Sequence, residues 1–174
     1  MNLLAIAYPG IASAALQAIE DLRRQYDPLY DVVHAHFTLA FPTNALSIPD
    51  FTAEIKKQAA GIQPVHFSLD MATVVKDHLS NNYDVFLVPR KGYDAIIALH
   101  DKLYNGILSG ELHTDIPYIP HITIARSADK AVCEQVAGTW NVTGFKAAGV
   151  FSAIDIVKYD GENVEGIWQV KLVV

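Results

Sequence analysis

Part of this 174-residue sequence occurs twice, and that repeat limits its fold more than any other feature. His36-Phe-Thr-Leu-Ala40 is matched by His121-Ile-Thr-Ile-Ala125, an offset of 85 positions, and Val74-Val75-Lys76 by Ile156-Val157-Lys158, an offset of 82. Two similar offsets in the same order predict a duplicated unit of about half the chain. A stacked solenoid needs at least three units. Two units predict a pair of lobes, about 1–80 and 81–174, inside one domain of 1–174. The length suits one ordinary core rather than two independent ones.

The element order agrees with a repeat. Leu3–Tyr8 reads as a buried strand stopped by Pro9-Gly10. The apolar spacing from Ile11 to Leu22 predicts a helix with Glu20, Asp21, Arg23 and Arg24 on its polar side. His34–Phe41 reads as a strand ended by Pro42, and Pro49-Asp50 opens a helix that runs to Gly61. Val65–Val75 and Tyr83–Val88 predict a hairpin. Ile96 to Ile107 has helical spacing, Ile119–Ala125 is a strand and Asp129–Ala137 a short helix. Phe145–Val157 and Gly166–Val174 predict a last hairpin. The fold class expected is α+β: a bilobal duplicated fold of two mainly antiparallel sheets, with outer helices, around a central groove on a pseudo-two-fold axis.

Composition excludes several classes. Hydrophobic residues make up 51% and charged residues 18%, so the chain is not a disordered tail. No apolar run reaches the roughly 18 residues a membrane span needs, and Leu3–Tyr8 lacks the basic start of a secretion signal. A single cysteine, Cys133, excludes a disulfide framework. The location expected is the cytoplasm. With 13 Lys and Arg against 19 Asp and Glu, the net charge is −6, and no basic stripe is visible. Long nucleic acid is therefore not expected as a tightly held partner. A small nucleotide or an RNA end needs only a local positive pocket. The sequence has no Gly-rich phosphate loop, and no cofactor is expected.

Alternation puts His36, Thr38 and Ala40 on one face of a strand, and His121, Thr123 and Ala125 on one face of another. Related by a two-fold axis, these strands bring two imidazoles and two hydroxyls together, with the alanines leaving floor space. Such a set suits metal-free hydrolysis of a phosphodiester. One neutral imidazole takes a proton from water, the protonated one gives a proton to the leaving oxygen, and the hydroxyls donate to the phosphate oxygens. Which histidine is acid and which is base stays open. His66-Phe-Ser and His78-Leu-Ser share the short pattern, but neither has a twin in the other half.

These residues resemble the 2H phosphoesterase superfamily, which includes the 2′-5′ RNA ligase-like proteins and cyclic nucleotide phosphodiesterases. Its mark is a pair of His-x-Thr/Ser-hydrophobic motifs half a chain apart. Pro120-His121-Ile-Thr-Ile-Ala-Arg126 is similar to its second motif and His36-Phe-Thr-Leu39 to its first. The resemblance implies hydrolysis of a cyclic phosphate or 2′-5′ linkage, and in some members 2′-5′ ligation. It implies His36 and His121 as the catalytic pair and Thr38 and Thr123 as phosphate donors.

Three further residues are candidate substrate contacts: Arg126, Tyr118 and Tyr8. Arg126 and Tyr118 carry the wrong parity for the groove unless the strand curls or Pro120 breaks the alternation. His34 could also face the groove. His113, Asp115 and His121 could suggest a metal site, but two prolines separate them and the repeat explains His121 better; no metal is expected. Two other readings of the whole chain are a nucleotide or RNA-end binding protein that hydrolyses nothing, and a structural domain whose histidines are core.

Overall fold

The computed structural model describes residues 2–173; Val174, the end of the last expected strand, and Met1 lie outside them. The chain forms β1 (Asn2–Ala7), α1 (Ser13–Tyr26), β2 (Phe37–Thr43), α2 (Ile48–Ala59), β3 (Val65–Lys76), β4 (Tyr83–Lys91), α3 (Tyr93–Leu103), β5 (Ile122–Ser127), α4 (Lys130–Val142), β6 (Ala147–Phe151), β7 (Ala153–Tyr159) and β8 (Val164–Lys171). All strand pairs are antiparallel, in two four-stranded sheets of order β2-β1-β7-β8 and β5-β4-β3-β6. The α+β architecture of two antiparallel sheets with helices is the one expected. Among the described residues, no helix is long and apolar enough to cross a membrane.

The sheets do not coincide with the halves about 1–80 and 81–174. The turn between β3 and β4, closed by a bond from Asp77 N to Asn82 O, keeps those strands neighbours, so β3 sits in the second sheet. Phe145–Val157, expected as one strand, is interrupted at Ser152: β6 pairs with β3 and β7 with β1. Each half of the sequence therefore supplies strands to both sheets. A bridge between Gly10 and Val150 joins them again, and a Cβ on Gly10 would lie 2.4 Å from the Val150 carbonyl oxygen, so only glycine fits.

β1 is central in its sheet and is buried on both faces, with Leu3, Ala5 and Ala7 in the main core and Leu4 and Ile6 in a smaller cluster with Val157. The main core spans both sheets through Phe37, Phe67 and Phe151, whose ring centroids lie 5.1 to 6.2 Å apart. α2 starts where Ser47 Oγ accepts from Asp50 N, with Pro49 in the first turn; α4 starts where Asp129 accepts from Ala131 N. β2 continues through Pro42 instead of ending there, which an edge strand tolerates because no ladder bond is lost on its open side.

Candidate active site

His36 and His121 sit at the same place in the two copies, each the residue immediately before an edge strand, β2 or β5. Each ring is tied in the same way. His36 Nδ1 lies 2.8 Å from the carbonyl oxygen of His34, and His121 Nδ1 lies 2.6 Å from that of Ile119. A carbonyl can only accept, so Nδ1 carries the hydrogen in both rings and the neutral form keeps its lone pair on Nε2. The repeat therefore extends to the atoms: two imidazoles with one tautomer, each with Nε2 turned away from its anchor.

The rings are half-buried, and burial lowers the pKa of both. His121 falls to about 4, because the charges of His36 and Arg126 add to its desolvation. The two imidazoles are thus close enough for a charge on one to act on the other. His121 is also stacked on Phe86, with centroids 3.4 Å apart and planes 13° from parallel. Around His36, Arg23 lowers the pKa further, while the His34 carbonyl, Asp27 and Glu20 favour the charged form.

Thr38 and Thr123 are half-buried, and among the described residues neither hydroxyl has a protein hydrogen-bond partner. Thr38 lies opposite Ile6 and Thr123 opposite Phe86. Directly opposed residues share a face, so Thr123 shares one with the Phe86 ring that carries His121. The alanines do not follow them. Ala40 lies opposite Ala5 and Ala125 opposite Val85, each shifted by a β-bulge at the same point of the repeat. Both alanines are buried in the core; the expected alanine floor is absent because one extra residue reverses the alternation.

The same bulge brings Arg126 opposite Asp84, two residues from Phe86, and so onto the Thr123 face. Its guanidinium donates to both oxygens of Asp84, at 2.6 and 3.0 Å, and lies 3.7 Å from Asp77. The parity argument against Arg126 fails, but two carboxylates already engage the side chain. The counterpart of Arg126 in the first copy is Phe41, so one side of the site is ionic and the other aromatic.

Tyr118 is a tie rather than a free ring. Its hydroxyl donates to the Thr38 carbonyl at 2.8 Å, and its ring stacks on His100 at 3.7 Å, which fastens the approach to His121 onto β2. Neighbouring groups complete the bulged edge of β2: His100 Nδ1 donates to Leu39 O at 2.9 Å, and Tyr104 Oη accepts from Phe41 N at 2.8 Å. Tyr8 lies just beyond β1, 38% exposed, with Asp155 near enough to raise its pKa after burial has done so. His34 is exposed and 3.7 Å from Glu20, and His113 packs edge-on to Phe41.

Helical spacing groups Arg23 with the exposed residues of α1, but it is 2% exposed. It pairs with Glu20 and Asp27, both at 2.8 Å, and donates to Val33 O, while Glu20 accepts from Ala35 N at 2.7 Å. This buried network fixes the segment that enters His36. Its signal was available: Ile19 and Arg23 are four apart and share a helix face. A cavity of about 170 Å³ lies beside His36 and Thr38, lined by Leu4, Ile6, Val33, Phe41 and Tyr159 among others.

Comparison with known proteins bears on the family and the fold. The family model of the 2′-5′ RNA ligase superfamily matches residues 11–163. A protein of Oceanobacillus iheyensis whose name proposes it as a phosphoesterase is 27% identical over 143 residues, covering 78% of this chain and 80% of its own. One of Staphylococcus haemolyticus with the same kind of name is 25% identical over 169 residues, covering 92% and 94%. The crystal structure of TT0787 of Thermus thermophilus has a TM-score of 0.65 at 16% identity, over 99% of this chain and 98% of that one. E. coli LigT complexed with 3′-AMP has a TM-score of 0.58 at 15% identity, over 99% and 98%. A match over most of the sequence, on the fold that LigT adopts, makes this chain a member of the 2′-5′ RNA ligase superfamily, the 2H phosphoesterases.

Proposed function

We propose that the protein is a metal-independent phosphodiesterase that hydrolyses a cyclic phosphate or a 2′-5′ linkage of a small nucleotide or RNA end. The observation that carries this reading is the matched pair of imidazoles, each held by Nδ1 to the carbonyl two residues before it. Only such a pair offers two Nε2 atoms to one substrate. The names of the relatives and the 3′-AMP bound by LigT support a phosphorylated ligand.

The surroundings of the rings support a division of roles. His121, kept neutral by burial, by His36 and by Arg126, acts as the base. His36 has Asp27 and Glu20 to favour its protonated form and acts as the acid, charging when a phosphate anion binds. Water attacks phosphorus while His121 Nε2 takes its proton. The new P–O bond forms, the ester P–O bond breaks, and the departing 2′ or 3′ oxygen takes the proton of His36 Nε2. Thr38 and Thr123 donate to the non-bridging oxygens. The apolar cavity beside His36 takes the nucleoside, with Phe41 in its wall.

A panel of 2′,3′-cyclic nucleotides, ADP-ribose cyclic phosphate and 2′-5′ oligonucleotides tests the reading, with and without EDTA. Turnover that survives EDTA and falls by about 10² to 10⁴ in His36→Ala and His121→Ala is expected. Full activity in both variants contradicts it. One observation favours the alternative of a binding protein that hydrolyses nothing: both imidazoles are lowered, so the empty site has little acid at neutral pH. Binding of a 2′-phosphonucleotide with no product from any member of the panel would decide for that alternative.

A further inference from the structure

The second sheet carries a larger cleft, of about 470 Å³, that includes neither motif histidine. Its polar lining is His66, Ser68, Asp70, Arg90, Lys91 and Lys146. The strand register puts it on the face that holds the site. Thr123 lies opposite Phe86, Phe86 opposite Thr73 and Val88 opposite Met71. Two successive bulges follow, one adding Asp70 to β3 and one adding Arg90 to β4, before Ser68 lies opposite Lys91. Extra residues on both strands bend this corner of the sheet and open it, while Leu69 and Pro89 between them stay buried.

The charge here runs against that of the molecule. In a chain of net charge −6, three of the 13 Lys and Arg line this cleft. Asp70 is the one carboxylate in the lining, 3.4 Å from an Arg90 side chain that is 75% exposed. Among the described residues, the ammonium groups of Lys91 and Lys146 have no ion pair, hydrogen bond or aromatic partner, although seven of the 13 cations do have carboxylate partners. Between the cleft and His121 the sheet face carries Phe86, Val88, Thr73 and Met71, the last 61% exposed.

Distance selects the ligand. From Phe86, under His121, to Lys91 is about 16 Å along β4, and from β5 to β3 about 10 Å across the sheet. A mononucleotide held between the histidines cannot reach the lysines. An extended single strand of several nucleotides covers the span.

We propose that this cleft is a backbone-phosphate subsite for a single-stranded RNA whose end lies between His36 and His121, with the intervening bases lying over Met71 and Val88. The proposal rests on the reading of the histidine pair as a phosphate site. Phosphate contacts position a strand without reading its sequence, so the substrate class is an RNA 3′ end of several nucleotides, and discrimination among bases is left to the site itself.

The test is fluorescence anisotropy with a 5′-fluorescein RNA hexamer that ends in a 2′-phosphate, which offers no diester at the site to cleave. A 2′-phosphonucleotide and ADP-ribose serve as unlabelled competitors, against wild type and Lys91→Ala/Lys146→Ala, both exposed positions. The double substitution is expected to weaken the hexamer about 10-fold or more and to lower the salt slope of its binding by about 1.4, the value for two lost phosphate contacts on a single strand. Competition by the mononucleotide should not change. A hexamer that binds wild type no tighter than the mononucleotide, or binds the variant as it binds wild type, overturns the subsite. ADP-ribose losing affinity as much as the hexamer does overturns the choice of RNA in favour of a small diphosphate. If lysine-dependent binding holds while no diester is ever cleaved, the subsite stands and the catalytic reading alone fails.

Discussion

The two copies of the histidine–threonine motif share their backbone and differ in their surroundings. In both, a histidine precedes an edge strand with Nδ1 on a carbonyl, a threonine follows whose hydroxyl has no partner among the described residues, and a bulge turns the next alanine into the core. Around the first copy are an apolar cavity, Phe41 and the buried Arg23 network; around the second are Phe86, Arg126 with its carboxylates, and a sheet face leading to lysines. On the proposed reading, the shared parts hold one phosphorus from two sides, and the parts that differ give the site a direction, with the nucleoside on one side and charge on the other.

If the shared parts act as a pair, the largest effects after loss of either histidine come from the hydroxyls. Thr38→Val and Thr123→Val should each lower turnover by about 10- to 100-fold, the range for a hydrogen bond to a charged group, with little change in melting temperature. A loss in only one of the two would mean that a single copy holds the phosphate, and the comparison would break.

The next prediction concerns pH and uses the different charges near the rings. Folding lowers His121 from the 6.5 of a free imidazole to about 4, so the unfolded chain takes up that proton first. The sign follows: this contribution to stability is present above about pH 6.5 and is lost as pH falls towards 4. Melts from pH 7 to 4.5 should therefore fall more steeply in wild type than in His121→Gln. For the reaction, kcat/KM should follow a bell whose alkaline limb, set by His36, lies below 6.5. An alkaline limb above pH 7 would contradict the assignment of the acid.

The smallest effect tests the tie between the copies. Tyr118→Phe removes the bond to the Thr38 carbonyl and should cost about 1 kcal/mol of stability, seen as a modest fall in melting temperature. Because the aromatic stack on His100 is kept, Tyr118→Ala should cost more.

Much of this was legible in the sequence. The repeat, the strand and helix order and the two motifs are local patterns, written in spacing and in flanking hydrophobic residues. What was not legible depends on pairing. A bulge is a mismatch between two strands, so nothing in Thr38–Ala40 alone announces that Ala40 leaves the face, and the parity objection to Arg126 failed for the same reason. The break at Ser152 and the interleaving of the sheets are choices of partner, and the alternation of Phe145–Val157 is equally compatible with one strand. Arg23 was misplaced by residue type: a guanidinium is normally exposed, and only Glu20, Asp27 and the Val33 carbonyl make its burial possible. Tyr118 and His100 act on the backbone of a strand distant in sequence, and composition carries no trace of that.

The central claim is that His36 and His121 engage the same phosphate. Titration of the ring resonances of 15N-histidine-labelled protein with a 2′-phosphonucleotide tests it most directly. Both imidazoles should shift together at one binding constant, and both pKa values should rise in the complex while Nδ1 of each keeps its hydrogen. Saturating ligand that moves only one ring, or moves the two with different affinities, would contradict the account.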